Sequence, residues 1–199
     1  KPEEKGNMDY MVYSYLTSMI ESMLNTRLEE LTQKADAPFI QAFAGDGDYL
    51  LSKTKGAFMG IAAAKEDGIL TATEALMREI ERVRQFGFTA SEYARAKADY
   101  LRSLEVAYNE RDKQRTNSYV KEYVRHFIDN EPIPGIENEY PLMNQIVPNI
   151  PVEAVNQVVK QLIQEKNIAL SVFCPEKEGM KYPTEAELKA VIDKVKAEK

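Results

Sequence analysis

Few residues in this sequence have the side-chain chemistry that catalysis or metal binding needs. The 199-residue chain contains one histidine, His126, and one cysteine, Cys174. A zinc site needs several nitrogen, sulfur or carboxylate ligands that converge on one point, and neither HExxH nor HxxEH can be written with a single histidine. His126 lies beside the apolar Phe127, and Cys174 follows a strand-like stretch and precedes Pro175. We therefore interpret both as structural residues and predict no metal ligand in this chain.

The stretch Gly45-Asp46-Gly47-Asp48 is the nearest approach to a phosphate-binding loop. A dinucleotide fingerprint would need a third glycine at position 50, where the chain has Leu50, and no Walker lysine pattern follows. The two aspartates would also repel a pyrophosphate. The stretch is predicted to be a turn instead, because glycine and aspartate tolerate the backbone angles that turns require.

Acidic side chains stand close together at several places, for example Glu29 with Glu30, Glu79 with Glu81, and Glu137 with Glu139. Carboxylate catalysis needs two groups that face each other in a cleft and have separated pKa values. Neighbouring glutamates on a helix are ordinarily solvated. A site composed of carboxylates from distant parts of the chain stays open, but no motif indicates one.

Length and charge fit one globular domain without an obvious polyanionic partner. The 32 acidic and 26 basic side chains give a formal net charge of −6, which offers no electrostatic footprint for nucleic acid or an anionic membrane. No run of 18 apolar residues indicates a membrane span. A single cysteine excludes an intrachain disulfide and says nothing of the redox compartment. The first six residues resemble neither a native start nor a targeting segment, so we expect residues 1–199 to be one domain excised from a longer chain.

Apolar periodicity and capping signals divide the chain into helices and a few strands. Thr89 with Glu92 and Thr71 with Glu74 have the spacing of capping boxes at helix starts, and 109–118 is a candidate break in the helix that follows Thr89. The predicted elements are a long helix over 7–33, strands over 38–43 and 55–64, helices over 71–85 and 89–130, helices over 136–146 and 152–164, a strand over 167–173, and a last helix from Thr184.

This order of elements predicts an α+β fold. Strands and helices do not alternate regularly, so a mixed or antiparallel sheet with helices on one face fits better than a doubly wound sheet. Three strands make a thin sheet. We therefore expect a further strand upstream of Lys1.

Two segments together carry a family resemblance. Asn25-Thr26-Arg27-Leu28-Glu29-Glu30-Leu31 ends the first long helix, and Gly87-Phe88-Thr89-Ala90-Ser91-Glu92-Tyr93-Ala94-Arg95-Ala96-Lys97 opens a later one. This "RLEEL … GFTxxExxRAK" pairing resembles the inactive, non-zinc-binding domain of the pitrilysin/insulinase family of zinc peptidases. Residues 118–140 and 173–179 resemble the long bacterial members in particular.

The resemblance implies a ferredoxin-like layer, with a mixed or antiparallel sheet that is backed by long helices and lacks its first strand. It also implies that zinc and the general base belong to a separate HxxEH domain of the parent chain, so that this chain has no catalytic residue and no cofactor of its own. The expected partners are the other domains of that polypeptide and a peptide substrate. No signal peptide is visible in this sequence, so the compartment is unknown. The resemblance favours the bacterial periplasm over the cytoplasm.

The resemblance further implies a substrate-binding edge along the first predicted strand, at Phe39, Gln41, Phe43 and Gly45. An extended peptide would pair there through its main chain, which gives affinity with little side-chain selectivity. The alternative is an ordinary hairpin that is paired within the fold.

Two rival functions remain open from the sequence. The chain could be a structural or assembly module of a processing-peptidase-like complex whose parent has no proteolytic activity. It could also be a stand-alone enzyme with a composed carboxylate site. An upstream HxxEH motif with a downstream glutamate in the parent chain favours the peptidase domain over the assembly module, whereas the stand-alone enzyme requires chelator-insensitive peptidase activity of this fragment.

Overall fold

The computed structural model describes residues 5–49, 55–113 and 116–198. These residues form helices and one small antiparallel sheet in two compact units. The first unit takes the chain up to Met19 together with Thr89–Val155, and the second takes Ile20–Phe88 and the chain from Asn156 onwards. The elements are α1 (Met8–Thr32), β1 (Gln41–Asp48), β2 (Gly56–Ala63), α2 (Ile69–Phe86), α3 (Ala90–Asn109), α4 (Thr116–Asp129), α5 (Ile136–Ile146), α6 (Val152–Leu162) and α7 (Glu185–Ala197), with 3₁₀ turns at Arg111–Lys113 and Val147–Asn149.

The second unit is built around the hairpin of β1 and β2. The strands pair antiparallel from Gln41 opposite Ala63 to Asp48 opposite Gly56. Helix α2 packs on β2 and on α7. The fully buried side chains of this unit include Ile20, Leu24, Leu28, Phe39, Val83, Val159 and Val195.

The first unit packs α3 against α5 around a cluster of buried tyrosines. The hydroxyl of Tyr93 donates to the carbonyl oxygen of Ile150 (3.2 Å) and accepts from the hydroxyl of Tyr15 (3.1 Å). The ring of Tyr100 meets that of Tyr15 edge-on, with centroids 4.9 Å apart. Burial, the main cause for each, raises the pKa of all three hydroxyls, that of Tyr100 to about 12. These tyrosines are therefore neutral packing residues.

Most helix boundaries agree with the sequence prediction. Capping boxes are present at Thr89 with Glu92 and at Thr184 with Glu187. The charged stretch after Asn109 interrupts the helix, so α3 and α4 are separate. The cap predicted at Thr71 is wrong, because α2 begins earlier, at Ile69, and Gly68 is its N-cap. Glu74 binds Arg78 and Lys194 instead.

The strands depart further from the prediction. Gly45-Asp46-Gly47-Asp48, predicted as a turn, lies within β1 and pairs with residues 56–59 of β2. The reversal comes later, where the amide of Tyr49 donates to the carbonyl oxygen of Lys55 (2.7 Å); Leu50 lies outside the described residues. Over 167–173 the chain forms no strand, because a strand requires a neighbouring edge and the described sheet has only two strands. Within the described ranges, no helix is long and apolar enough to cross a membrane.

Candidate functional site

The two faces of the hairpin differ in what they contact. Ala44 is fully buried and stands opposite Gly60. A Cβ atom added at Gly60 would lie 2.7 Å from Cδ1 of Ile80 in α2. This face of the hairpin is therefore covered by helix.

The opposite face of the hairpin is open and apolar. Because side chains alternate along a strand, Phe43 and its cross-strand partner Ile61 point away from α2. Their exposed fractions are 55% and 64%. Met59 and Gly45 form the next pair on the same face, and Gln41 precedes Phe43. We call Gln41, Phe43, Gly45, Met59 and Ile61 the open sheet face.

The outer edge of β1 is partly occupied by side chains of α1. The Nδ2 of Asn25 donates to the carbonyl oxygen of Ala44, and the amide of Ala44 donates to Oδ1 of Asn25, both at 2.8 Å. One turn earlier on α1, Oε1 of Glu21 accepts from the amide of Asp46 (2.8 Å). In an antiparallel pair, alternate residues direct both main-chain groups away from the partner strand. Asn25 thus takes the place of a neighbouring strand at Ala44.

The four residues predicted as the peptide-binding edge have different surroundings. Phe39 precedes β1 and is 1% exposed in the core. Gln41 and Phe43 are exposed on the open sheet face, and Gly45 is buried beneath the Phe43 ring, whose nearest atoms would lie 3.2 Å from an added Cβ. The structure therefore brings Gln41, Phe43 and Gly45 together and keeps Phe39 apart. Sequence reasoning missed Ile61, Asn25 and Glu21 as members of this region.

The residues that carry the family resemblance meet in the second unit. The guanidinium of Arg27 lies 4.9 Å from the centroid of the Phe88 ring and donates to the carbonyl oxygen of Gly87 (3.3 Å). Asn156 binds both main-chain groups of Phe88, accepting from its amide (2.8 Å) and donating to its carbonyl oxygen (3.0 Å). Two distant sequence segments are thereby joined by one cation–π contact and one hydrogen bond, and Asn156, from a third segment, adds two hydrogen bonds to Phe88.

The described residues do not provide a set of zinc ligands. Among them, no group of three or more His, Cys, Asp or Glu side chains is placed to hold a metal ion. Nδ1 of His126 lies 2.5 Å from the carbonyl oxygen of Glu131 and so donates to it. The donor groups of this part of the chain therefore do not fit zinc.

The carboxylates whose pKa values are lowered have structural partners. Hydrogen bonds from Lys194 and Arg78 lower the pKa of Glu74, and Arg84 lowers that of Glu81. Burial, with a smaller contribution from Glu122, raises the pKa of Glu139. None of these carboxyls stands on the open sheet face.

The fold of this chain is shared with solved proteases, one of which is described as a predicted insulinase family protease. No protein-family model matches the chain. The structural likeness shows the fold, and the chain spans only a fraction of each matching protein.

Three relatives illustrate the likeness. The structure matches the periplasmic protease PqqL from Escherichia coli with a TM-score of 0.74 at 20% identity, covering 97% of this chain and 21% of that protein. It matches a predicted insulinase family protease from Yersinia pestis with a TM-score of 0.76 at 12% identity, covering 95% and 40%. In sequence, the chain is 28% identical over 155 residues to an Arabidopsis thaliana protein named zinc protease PQQL-like, covering 76% of this chain and 13% of that protein.

Proposed function

We propose that this chain is a non-catalytic domain of a zinc metallopeptidase, which forms part of the substrate chamber and helps to hold an extended peptide. The observation that carries the proposal is the match of 97% of the chain to about a fifth of a protease, in a chain whose described residues contain no candidate metal cluster. A separate HxxEH domain of the parent polypeptide would supply zinc and cleave the peptide. The periplasmic relative supports a periplasmic location.

The sheet would be completed in the parent polypeptide as a ferredoxin-like layer with a further strand. Within the described residues, β2 pairs only with β1, so its other edge is open. The segment from Ile168 to Phe173 keeps the alternating apolar pattern of a strand, and Ile168, Leu170 and Val172 are 37–45% exposed. We propose that an extended segment would pair with the open edge of β2 on one side and with residues 168–173 on the other. This would be the first strand that the sequence predicts upstream of Lys1.

The open sheet face suits a chamber wall that accepts many peptide sequences. Phe43 and Ile61 offer apolar contact without charge selection, and Gln41 offers one amide. Main-chain pairing along the outer edge of β1 is limited to its start, at Ala42, because Asn25 and Glu21 already bind Ala44 and Asp46. We therefore place the peptide across Gln41 and Phe43, with its side chains against Ile61.

Backbone amide NMR during titration with an uncharged extended peptide tests this placement. We expect the largest shift changes at residues 41–43 and 59–61. The Phe43→Ser variant should bind several-fold more weakly, whereas the matched Phe86→Ser variant, which removes an exposed phenylalanine from α2, should bind like the wild type. Shift changes that avoid both strands, or equal binding by the Phe43 variant, would contradict the peptide-holding role and favour an assembly module.

A further inference from the structure

Helix α4 of the first unit carries a broad apolar stripe. Large apolar side chains recur at three- and four-residue steps over three turns, which places them on one side of the helix. Each is exposed, from 37% for Tyr119 to 89% for Phe127. The stripe consists of Tyr119, Val120, Tyr123, Val124, Phe127 and Ile128.

Nothing in the described part of the chain covers this stripe. Its six side chains are all at least 37% exposed, so no described residue buries them. The contacts that α4 makes are polar ones: the hydroxyl of Tyr119 donates to the carbonyl oxygen of Arg111 (3.2 Å), and His126 and Arg125 bind Glu131. A helix of 14 residues is marginal in water when it packs on nothing. The stripe is therefore the part of α4 that requires a partner.

The width of the stripe distinguishes between partners. Six large apolar side chains over three turns form the broad face of a helix that packs on a domain core. The seam between two self-associating helices is narrower, with two apolar positions per heptad. Apolar patches of this kind on soluble proteins mark interaction sites. The partner surface should be broad, apolar and uncharged, since the stripe itself contains no charged residue.

We infer that the α4 stripe docks on an apolar surface of another domain of the same polypeptide. The inference rests on the proposed function, that this chain is one domain of a longer peptidase. The chain matches only 21% of the periplasmic protease chain, so most of such a polypeptide is available to supply that surface. A second copy of the chain and a bound peptide are the competing occupants.

The same substitution at two equally exposed valines tests the docking. Val124→Asp lies in the stripe, and Val106→Asp is the control on α3; their exposed fractions are 47% and 50%. In the 199-residue chain neither variant should lower the melting temperature appreciably. In the full-length polypeptide, Val124→Asp should lower it by several degrees because an unpaired charge becomes buried, and Val106→Asp should not.

Hydroxyl-radical footprinting supplies an independent readout with unmodified side chains. Oxidation of Phe127 and Tyr123 should fall several-fold in the full-length polypeptide relative to the 199-residue chain. Equal oxidation in both, or no effect of Val124→Asp on the full-length melting temperature, overturns the docking. A 199-residue chain that is dimeric by light scattering and becomes monomeric with Val124→Asp assigns the stripe to a second copy, which also overturns it. Lack of zinc-dependent peptidase activity in the full-length polypeptide would contradict the proposed function alone.

Discussion

At the scale of single residues, two asparagines replace missing main-chain partners. Asn25 binds the amide and carbonyl of Ala44, and Asn156 binds those of Phe88. An asparagine amide can do this because it carries a donor and an acceptor side by side, as a peptide group does. Spacing along the sequence does not reveal either role. Asn25 belongs to the resemblance motif, but its partner Ala44 is specified only by the packing of α1 against β1.

Replacing Asn25 with leucine should cost substantial stability. The substitution keeps the size of the side chain but leaves two main-chain groups of the buried Ala44 without partners, and each such group costs about 1–3 kcal/mol. We expect the free energy of unfolding to fall by about 2–4 kcal/mol in urea denaturation. Asn144→Leu is the matched control, since its amide binds only a carbonyl of its own exposed helix and its loss should change stability by less than about 0.5 kcal/mol. Similar losses for both variants would contradict the strand-like role of Asn25.

Glu139 should make stability depend on pH in the opposite sense from a salt-bridged carboxylate. Burial raises its pKa in the folded state above the unfolded value. Its contribution to stability is therefore full below the unfolded pKa of about 4.3 and is lost as pH rises through the folded pKa. At pH 7 the Glu139→Gln variant should therefore melt above the wild type, because the amide removes the cost of a buried charge.

The pH profile separates ionisation from packing in that experiment. The advantage of Glu139→Gln should shrink as pH falls well below the unfolded pKa of about 4.3, where the wild-type carboxyl is protonated in both states. Glu137→Gln, on the same helix, is the control; Glu137 is exposed and pairs with Arg111, so its loss should leave the melting temperature the same or slightly lower. A constant advantage at all pH values would show that ionisation of Glu139 is not the cause.

At the scale of elements, local signals predicted the helices better than the strands. The capping boxes at Thr89 and Thr184 are formed as expected, because their hydrogen bonds join residues only three apart. The limits of β1 depend instead on distant residues: Glu21 and Asn25 bind its outer edge, and residues 56–59 pair with its second half. A Gly-Asp repeat that resembles a turn is thereby held in a strand.

Replacement of Gly87, the residue that ends α2, should lower stability. Its φ of 70° and ψ of −156° fall in a region that is essentially restricted to glycine, and an added Cβ would lie 2.4 Å from Oδ1 of Asn156. Gly87→Ala should therefore lower the free energy of unfolding by about 2–4 kcal/mol, from backbone strain and displacement of Asn156. Gly47→Ala, whose Cβ would meet only Cε of Met59 at 3.9 Å, should have little effect. Equal urea midpoints for the two variants would contradict this explanation.

At the scale of the whole molecule, the sequence predicted the fold class but not the surface that the fold presents. One histidine and one cysteine sufficed to argue against a zinc site, and the motifs around Arg27 and Phe88 indicated the architecture that the solved proteases share. The open sheet face could not be predicted, because the pairing of Phe43 with Ile61 depends on the hairpin register. The exposure of the α4 stripe could not be predicted either, since an apolar periodicity does not say whether the face is covered.

If a separate domain holds the zinc, as proposed, metal content and peptidase activity should differ between the 199-residue chain and the full-length polypeptide. Because the described residues contain no candidate cluster of ligands, the 199-residue chain should copurify with less than stoichiometric zinc. A chelator should leave its melting temperature unchanged, since a ligand that binds the native state would raise it. The full-length polypeptide should lose peptidase activity with the chelator and regain it with added zinc, because zinc activates the attacking water in such enzymes. Peptidase activity in the isolated chain that survives the chelator would instead support a composed carboxylate site. Stoichiometric zinc in the isolated chain would place ligands in it that the described residues do not contain, and would contradict a metal held by a separate domain.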